Sequence, residues 1–262
     1  MLNLKVIDKD GTILEEVTSE KIDLKYNKPY NEGDKIVITS DKEFLTLKLS
    51  EKLAESIVYV PGKFFEYKIP FGEKLVAYDD GTWNGESNRI IASETEEEDI
   101  YKTRNIALNS TALRYEERYF PYAKANYVTR DEAWFEERNS IDGVICTPGH
   151  GPYPFQSYAG GAREDIEYYL YFGRDVEIEE IIFYLRADFK DDHDTYWKSL
   201  EIEFDDGSKI PASFVKGGDP QSVKLELPKR TKSIHLTNFK QAAFPLSWAA
   251  LTQIQVIGKY VK

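Results

Sequence analysis

A single cysteine, Cys146, and only three histidines stand in 262 residues. One thiol excludes a disulfide within the chain and a cysteine-based zinc site. So few soft ligands leave no route to a tight transition-metal centre. No apolar run reaches the length of a membrane span. The opening residues M-L-N-L-K-V-I-D-K-D-G carry neither a basic segment nor an apolar one, so they read as a strand rather than a signal peptide. As written, the chain therefore reads as cytoplasmic, or as extracellular if a leader has been removed. Positive charge is also short. The 34 Lys and Arg against 46 Asp and Glu give a net charge of −12, which argues against nucleic acid and anionic membrane as partners and favours solubility. The catalytic signatures G-x-S-x-G, H-E-x-x-H and a Gly-rich phosphate loop are missing. Cys146 and His150 share one loop, but that spacing alone does not make a nucleophile and base. The carboxylates are too many to single out a glycosidase pair. Enzyme activity stays open, with a non-catalytic protein favoured.

What is abundant is hydrophobic and aromatic. Hydrophobic residues make up 41% of the chain and aromatics 14%, with 18 Tyr and 14 Phe. That load suits strands and exposed stacking surfaces. Short alternating runs, punctuated by Asp10-Gly11, Asn31-Glu32-Gly33-Asp34 and Pro61-Gly62, predict strands at 2–7, 12–17, 21–26, 35–39, 44–49, 57–60, 64–69 and 89–93. Further strands are predicted at 168–172, 178–185, 200–204, 222–227, 233–236 and 251–257. One helix is predicted over 131–139, capped by Thr129, with Asp131 and Glu132 at its positive end. The acidic run from Glu94 to Asp99 repels itself and marks a domain boundary, or else a solvated loop inside one domain. These features predict an all-β chain of two β-sandwich, jelly-roll-like domains, residues 1–100 and 101–262.

Residues 139–207 carry a more specific order. They run N-S-I-D-G, then a loop rich in Gly, Pro and aromatics, then Y-L-Y-F-G-R-D-V-E-I-E-E-I-I-F-Y-L-R, then L-E-I-E-F-D-D-G-S. Upstream lies N-I-A-L-N at Asn105, and downstream L-T-Q-I-Q-V-I-G at Leu251. Together these pieces resemble the discoidin, or coagulation factor 5/8 type C, family over roughly the last 160 residues. The resemblance implies a galactose-binding-like sandwich of the kind that often serves as a carbohydrate-binding module. The family's D-L-G strand end is replaced here by Tyr171-Phe172-Gly173, and its S-x-D-G hairpin by Asp205-Asp206-Gly207.

The resemblance also implies a site. Sugar-binding members place a His and an aromatic in the first loop, where His150 and Tyr153 stand. They place an Arg at the next strand end and an Asn some five residues on. Arg186 matches the first, and Asp191 occupies the second position, keeping an acceptor but losing the amide donor. His193 and Trp197 follow in the same loop. An aromatic platform before the last strand is implied at Phe244 or Trp248. A flat ring for the apolar sugar face and fixed polar groups for its hydroxyls are what such a ligand needs. Each aromatic could equally fill the end of the core, and Arg186 with Asp191 could be a surface ion pair. An exposed Arg186 would contribute little to folding. The family also implies a possible structural calcium through an Asp near the D-G turn and a last-strand Glu. Asp142 matches loosely, but the second position reads Gln253. Whether any metal binds is left unknown. The leading function is non-catalytic recognition of a galactose- or glucose-type glycan end by the C-terminal loops. The alternatives are a structural or protein–protein interaction module, which makes another protein a possible partner, and an accessory part of a glycan-active enzyme system.

Overall fold

Period-2 patterning builds the first hundred residues into strands. In β1 (Leu2–Ile7), Leu2, Leu4 and Val6 are buried and the residues between them are only partly so. The turn at Asp10-Gly11 leads into β2 (Ile13–Ser19), which pairs back on β1. There follow β3 (Lys21–Tyr26), β4 (Lys35–Thr39), β5 (Phe44–Lys48), β6 (Ser56–Tyr59), β7 (Phe64–Lys68) and β8 (Asn88–Glu94). They form two four-stranded antiparallel sheets, ordered β2-β1-β4-β7 and β3-β8-β5-β6. One core joins the sheets, with Leu4, Ile38 and Phe65 from the first and Ile22, Leu47 and Ile90 from the second.

The computed structural model describes residues 1–163, 165–188, 195–242 and 248–262. Beyond β8 the acidic run is structured rather than a bare linker. Glu94 ends β8, Thr95 hydrogen-bonds Thr46 at 3.0 Å, and Glu97–Tyr101 forms the short helix α1, which buries Ile100. Then come β9 (Arg104–Asn105), β10 (Tyr122–Ala125), β11 (Tyr168–Leu185), β12 (Trp197–Phe204), β13 (Lys209–Ser213), β14 (Gln221–Gln241) and β15 (Leu251–Tyr260). They make one seven-stranded sheet, β13-β12-β14-β11-β15-β9, with β10 added to β11. None of the strands β1 to β8 belongs to it.

The two pairs of strands expected at 168–172 and 178–185, and at 222–227 and 233–236, are instead the single long strands β11 and β14. Their mutual register shifts between Tyr171 and Val176 and again between Ile178 and Glu180. Such bulges bend a strand pair. The N-terminal part of β11 pairs with β10, and its C-terminal part with β15, so the long strands serve both halves of the sheet. Both halves contribute to one core that includes Leu170, Phe183, Ile202, Leu236 and Ile254. Gly173 sits at the bend with φ +76°, and a Cβ there would lie 2.4 Å from the Phe120 ring. No L side chain fits that place without moving the ring.

The helix predicted over 131–139 is replaced by three short 3-10 turns, Thr129–Asp131, Ala133–Phe135 and Glu137–Ile141. Arg130 and Asp131 both take left-handed φ, 50° and 57°, which an α-helix cannot accommodate. The Asn139 side chain donates to the Ala133 carbonyl at 3.0 Å and Ser140 Oγ to the Glu137 carbonyl. These bonds offer the backbone an alternative to helix.

The two cores meet along a seam. Tyr59 and Phe120 exchange backbone hydrogen bonds of 2.8 and 3.0 Å. Phe44 of β5 belongs to the larger core and lies 4.8 Å, ring to ring, from Tyr260 of β15. In exchange, Tyr119 belongs to the smaller core and accepts the Glu66 amide at 2.8 Å. Arg138, 4% exposed, donates to Glu136 at 3.0 Å and stacks 4.4 Å above the Tyr78 ring.

Candidate functional site at the loop end of the larger sandwich

The chain leaves the last 3-10 turn at Asp142-Gly143 and enters the segment 144–158. Backbone bonds fix it: Ala187 N to the Thr147 carbonyl at 2.7 Å, Ser157 N to the Trp134 carbonyl at 2.9 Å, and a mutual pair between Tyr158 and Leu251 at 2.8 Å. The first of these ties the loop to the end of β11. There the His150 Nδ1 and Asp188 Oδ2 lie 2.7 Å apart. A carboxylate only accepts, so Nδ1 carries the hydrogen of this bond. The imidazole is 53% exposed while Asp188 is 16% exposed, so a half-buried carboxylate orients an accessible ring.

Arg186 ends β11 differently from expectation. It is 2% exposed, not a surface residue. Its backbone N–H donates to the Ala250 carbonyl at 3.0 Å, and its Nη2 donates to the Trp248 carbonyl. It therefore links the strand end to the segment before β15, and its burial reverses the expectation that it matters little to folding. Trp248 is partly exposed, and the Arg130 guanidinium stands 6.0 Å from its ring. Arg130 is held in turn by two 2.9 Å bonds to Glu132. The backbone is left-handed at both Arg130 and Asp131, a conformation non-glycine residues rarely adopt.

The structure thus brings His150, Arg186 and Trp248 to adjoining segments at one end of the sandwich. Two other predicted residues are elsewhere. Trp197 is a core residue, 1% exposed, with its ring 4.7 Å from Phe239 and 6.2 Å from Tyr158. It begins β12 with its side chain inward, so it offers no face to a ligand. Tyr153 is half-buried, and its N–H donates to the Val76 carbonyl of the smaller sandwich at 2.8 Å. It lines the cleft between the sandwiches. Asp191, His193 and Phe244 lie outside the described residues.

At the position the family resemblance gives to calcium, the polar groups bond one another in part, with Gln156 Oε1 and Gln253 Nε2 left without a hydrogen-bond partner among the described residues. Gly143 N donates to Gln253 Oε1 at 3.2 Å, Val144 N to Asp142 Oδ1 at 2.8 Å, and Gln156 Nε2 to Asp142 Oδ2 at 2.9 Å. Burial pushes the Asp142 carboxyl up to about 6, against the pull of these donors. A neutral amide at Gln253 supplies less negative charge than a hard cation favours. Among the described residues no group of three or more His, Cys, Asp or Glu side chains is placed to hold a metal.

Asp188, two residues beyond Arg186, is a site residue that the sequence resemblance does not single out. Arg130 and Arg138 gave no sequence signal, because nothing local shows which aromatic ring a distant arginine will reach.

No family model and no curated protein matches the chain. Its solved neighbours are carbohydrate-binding modules and F5/8 type C domains, the kind named by the sequence resemblance. Chitosan-binding module 1 of a chitosanase/glucanase from Paenibacillus sp. IK-5 is similar at 15% identity over 58% of this chain and 98% of that one, with a TM-score of 0.40. The family 32 module of C. perfringens NanJ, solved with galactose, shares 15% identity over 52% of this chain and 91% of its own, with a TM-score of 0.37. An F5/8 type C domain from Bacteroides fragilis shares 15% over 53% and 91%, with a TM-score of 0.40. At such identities and TM-scores the likeness assigns no ligand to this chain.

Proposed function

We propose that the protein binds carbohydrate, without acting on it, at the loop end of the larger sandwich. The observation that carries this reading is the exposed imidazole of His150 held 2.7 Å from the Asp188 carboxylate, beside the partly exposed Trp248. An oriented imidazole can exchange hydrogen bonds with a sugar hydroxyl, and an indole face suits the apolar C–H face of the ring. Arg186 acts here as a positioning residue, fixing the Trp248 backbone. Asp191, His193 and Phe244 join the site through the sequence resemblance alone. A galactose- or glucose-type glycan end is the proposed ligand class. Affinity should be weak, because a shallow site buries little area and hydroxyls must first shed water.

We further propose residues 101–262 as the binding domain and residues 1–100 as its support. A glycan array probed with the intact protein and with His150→Ala tests the reading. The wild type should retain a set of glycans with galactose- or glucose-type ends, and the variant should lose them. Equal retention by both would place the site elsewhere, and retention of no glycan would remove the carbohydrate reading.

A further inference from the structure

We propose that the cleft between the two sandwiches is a second site, built by both, for a pyranose ring. The proposal rests on the carbohydrate reading for its ligand class but uses none of the loop-end residues. The cleft is a cavity of about 470 Å3 whose wall includes Val76, Asp80, Trp83 and Asn84 from the smaller sandwich and Pro152 and Tyr153 from the larger. A neighbouring cavity of about 200 Å3 shares Tyr153 and reaches Gln156. The first volume lies within the span of small-ligand clefts, roughly 300–1,000 Å3. Neither sandwich forms the cleft alone. The bond from Tyr153 N to the Val76 carbonyl closes it.

The polar groups are those a hydroxylated ring would meet. Asp80 and Asn84 are exposed at the rim and joined by a 3.1 Å bond from Asn84 Nδ2 to Asp80 Oδ1, which leaves further acceptor capacity. Two buried groups have no hydrogen-bond partner among the described residues: the indole N–H of Trp83, a residue of the cleft wall, and the Oε1 of Gln156, a residue of the neighbouring cavity. One is a donor and the other an acceptor. Leaving such groups unpaired inside a protein is unfavourable, and a small shift of the wall would let a ring hydroxyl in the cleft pair with the covered Trp83 N–H. Tyr153 and Pro152 add apolar surface. The cleft is not a strong cation site, because Lys52 Nζ already lies 2.9 Å from Asp79 Oδ1 and donates to the Asp80 carbonyl.

The indole N–H resonances of Trp83 and Trp248 report the two sites separately in one protein. Titration of the intact chain with galactose and with glucose should move the Trp83 resonance with at least one of them. It should still move in His150→Ala. In an Asp80→Ala/Asn84→Ala variant the affinity read at Trp83 should fall at least about tenfold, roughly the loss of one good hydrogen bond to a charged group. Tyr153→Ala is the second variant, with the same expectation. A stationary Trp83 alongside a moving Trp248 would sink the cleft and leave the loop-end reading intact. A moving Trp83 with a stationary Trp248 would do the reverse. If Trp83 moves but loses its response in His150→Ala, or keeps full affinity in both cleft variants, it follows a distant event and the cleft is not a site. If neither resonance moves with either sugar, both readings fall.

Discussion

The seam between the sandwiches and the loop end of the larger one are both held by arginines and aromatic rings, yet they are built to opposite ends. At the seam the charged groups are buried and mutually paired: Arg138 and Glu136 are 4% and 8% exposed, and the guanidinium lies on the Tyr78 ring. At the loop end the central pair leaves its histidine about half exposed. A buried pair is costly to break because its partner is stranded in a poor solvent for charge, whereas an exposed pair is replaced by water. The seam is therefore a fixture, and the loop end leaves its histidine open to solvent. Arg186 is the exception that joins the two behaviours, a seam-like buried cation at the loop end.

The largest effect should come from Arg138→Ala, which strands Glu136 and removes the cover of Tyr78. We expect a loss of about 3–5 kcal/mol, read by urea unfolding. A loss under about 1 kcal/mol would mean that the seam is no more firmly held than the loop end.

Glu137 sharpens the contrast through pH. It is 2% exposed, and burial pushes its carboxyl up to about 7, although Arg114 Nε stands 3.7 Å away. Because its folded value lies above the ordinary 4.5 of the unfolded chain, the folded state holds a proton that the unfolded state has released between those values. By linkage, this group's contribution makes stability fall as pH rises from 4.5 to 7. Glu137→Gln should therefore gain stability relative to the wild type on going from pH 4.5 to pH 8, by up to about 3 kcal/mol. A relative stability flat in pH would show that Glu137 titrates normally.

Arg186→Ala should cost about 1–3 kcal/mol, because it removes a buried side chain together with its part-buried hydrogen bond to the Trp248 carbonyl. An unchanged unfolding midpoint would place Arg186 with the exposed residues after all. His150→Ala, the smallest, should change stability by no more than about 0.5 kcal/mol. A larger loss would make the His150–Asp188 pair part of the fold rather than of a site.

The limits of the sequence follow the same division. Short strands bounded by polar residues were legible to the residue, as Lys21–Tyr26 and Lys35–Thr39 illustrate. The unity of β11 was not, because Gly173-Arg174-Asp175 reads as punctuation when it is a bend inside a continuous strand. The turns at 129–141 looked helical because spacing cannot reveal a left-handed pair at Arg130 and Asp131. In the site, the placement of His150 and Arg186 on adjoining segments was foreseeable from the resemblance. Burial was not: Trp197 and Arg186 both lie inside, because register shifts between Trp197 and Glu201 put Trp197 out of phase with the buried Leu200, Ile202 and Phe204, and the carbonyl that takes Arg186 comes from a segment 62 residues away.

The central claim, that an oriented and exposed His150 makes the loop end a carbohydrate site, is tested most directly by isothermal titration. Galactose and glucose would be titrated into the wild type and into His150→Ala, with thermal unfolding of both recorded in the same buffer. The account predicts weak, saturable heat for the wild type with at least one sugar. It predicts a loss of at least about tenfold in affinity for the variant, from removal of a group that hydrogen-bonds the ligand, at an unchanged unfolding midpoint. Equal affinities in the two proteins, or no binding by the wild type, would contradict it.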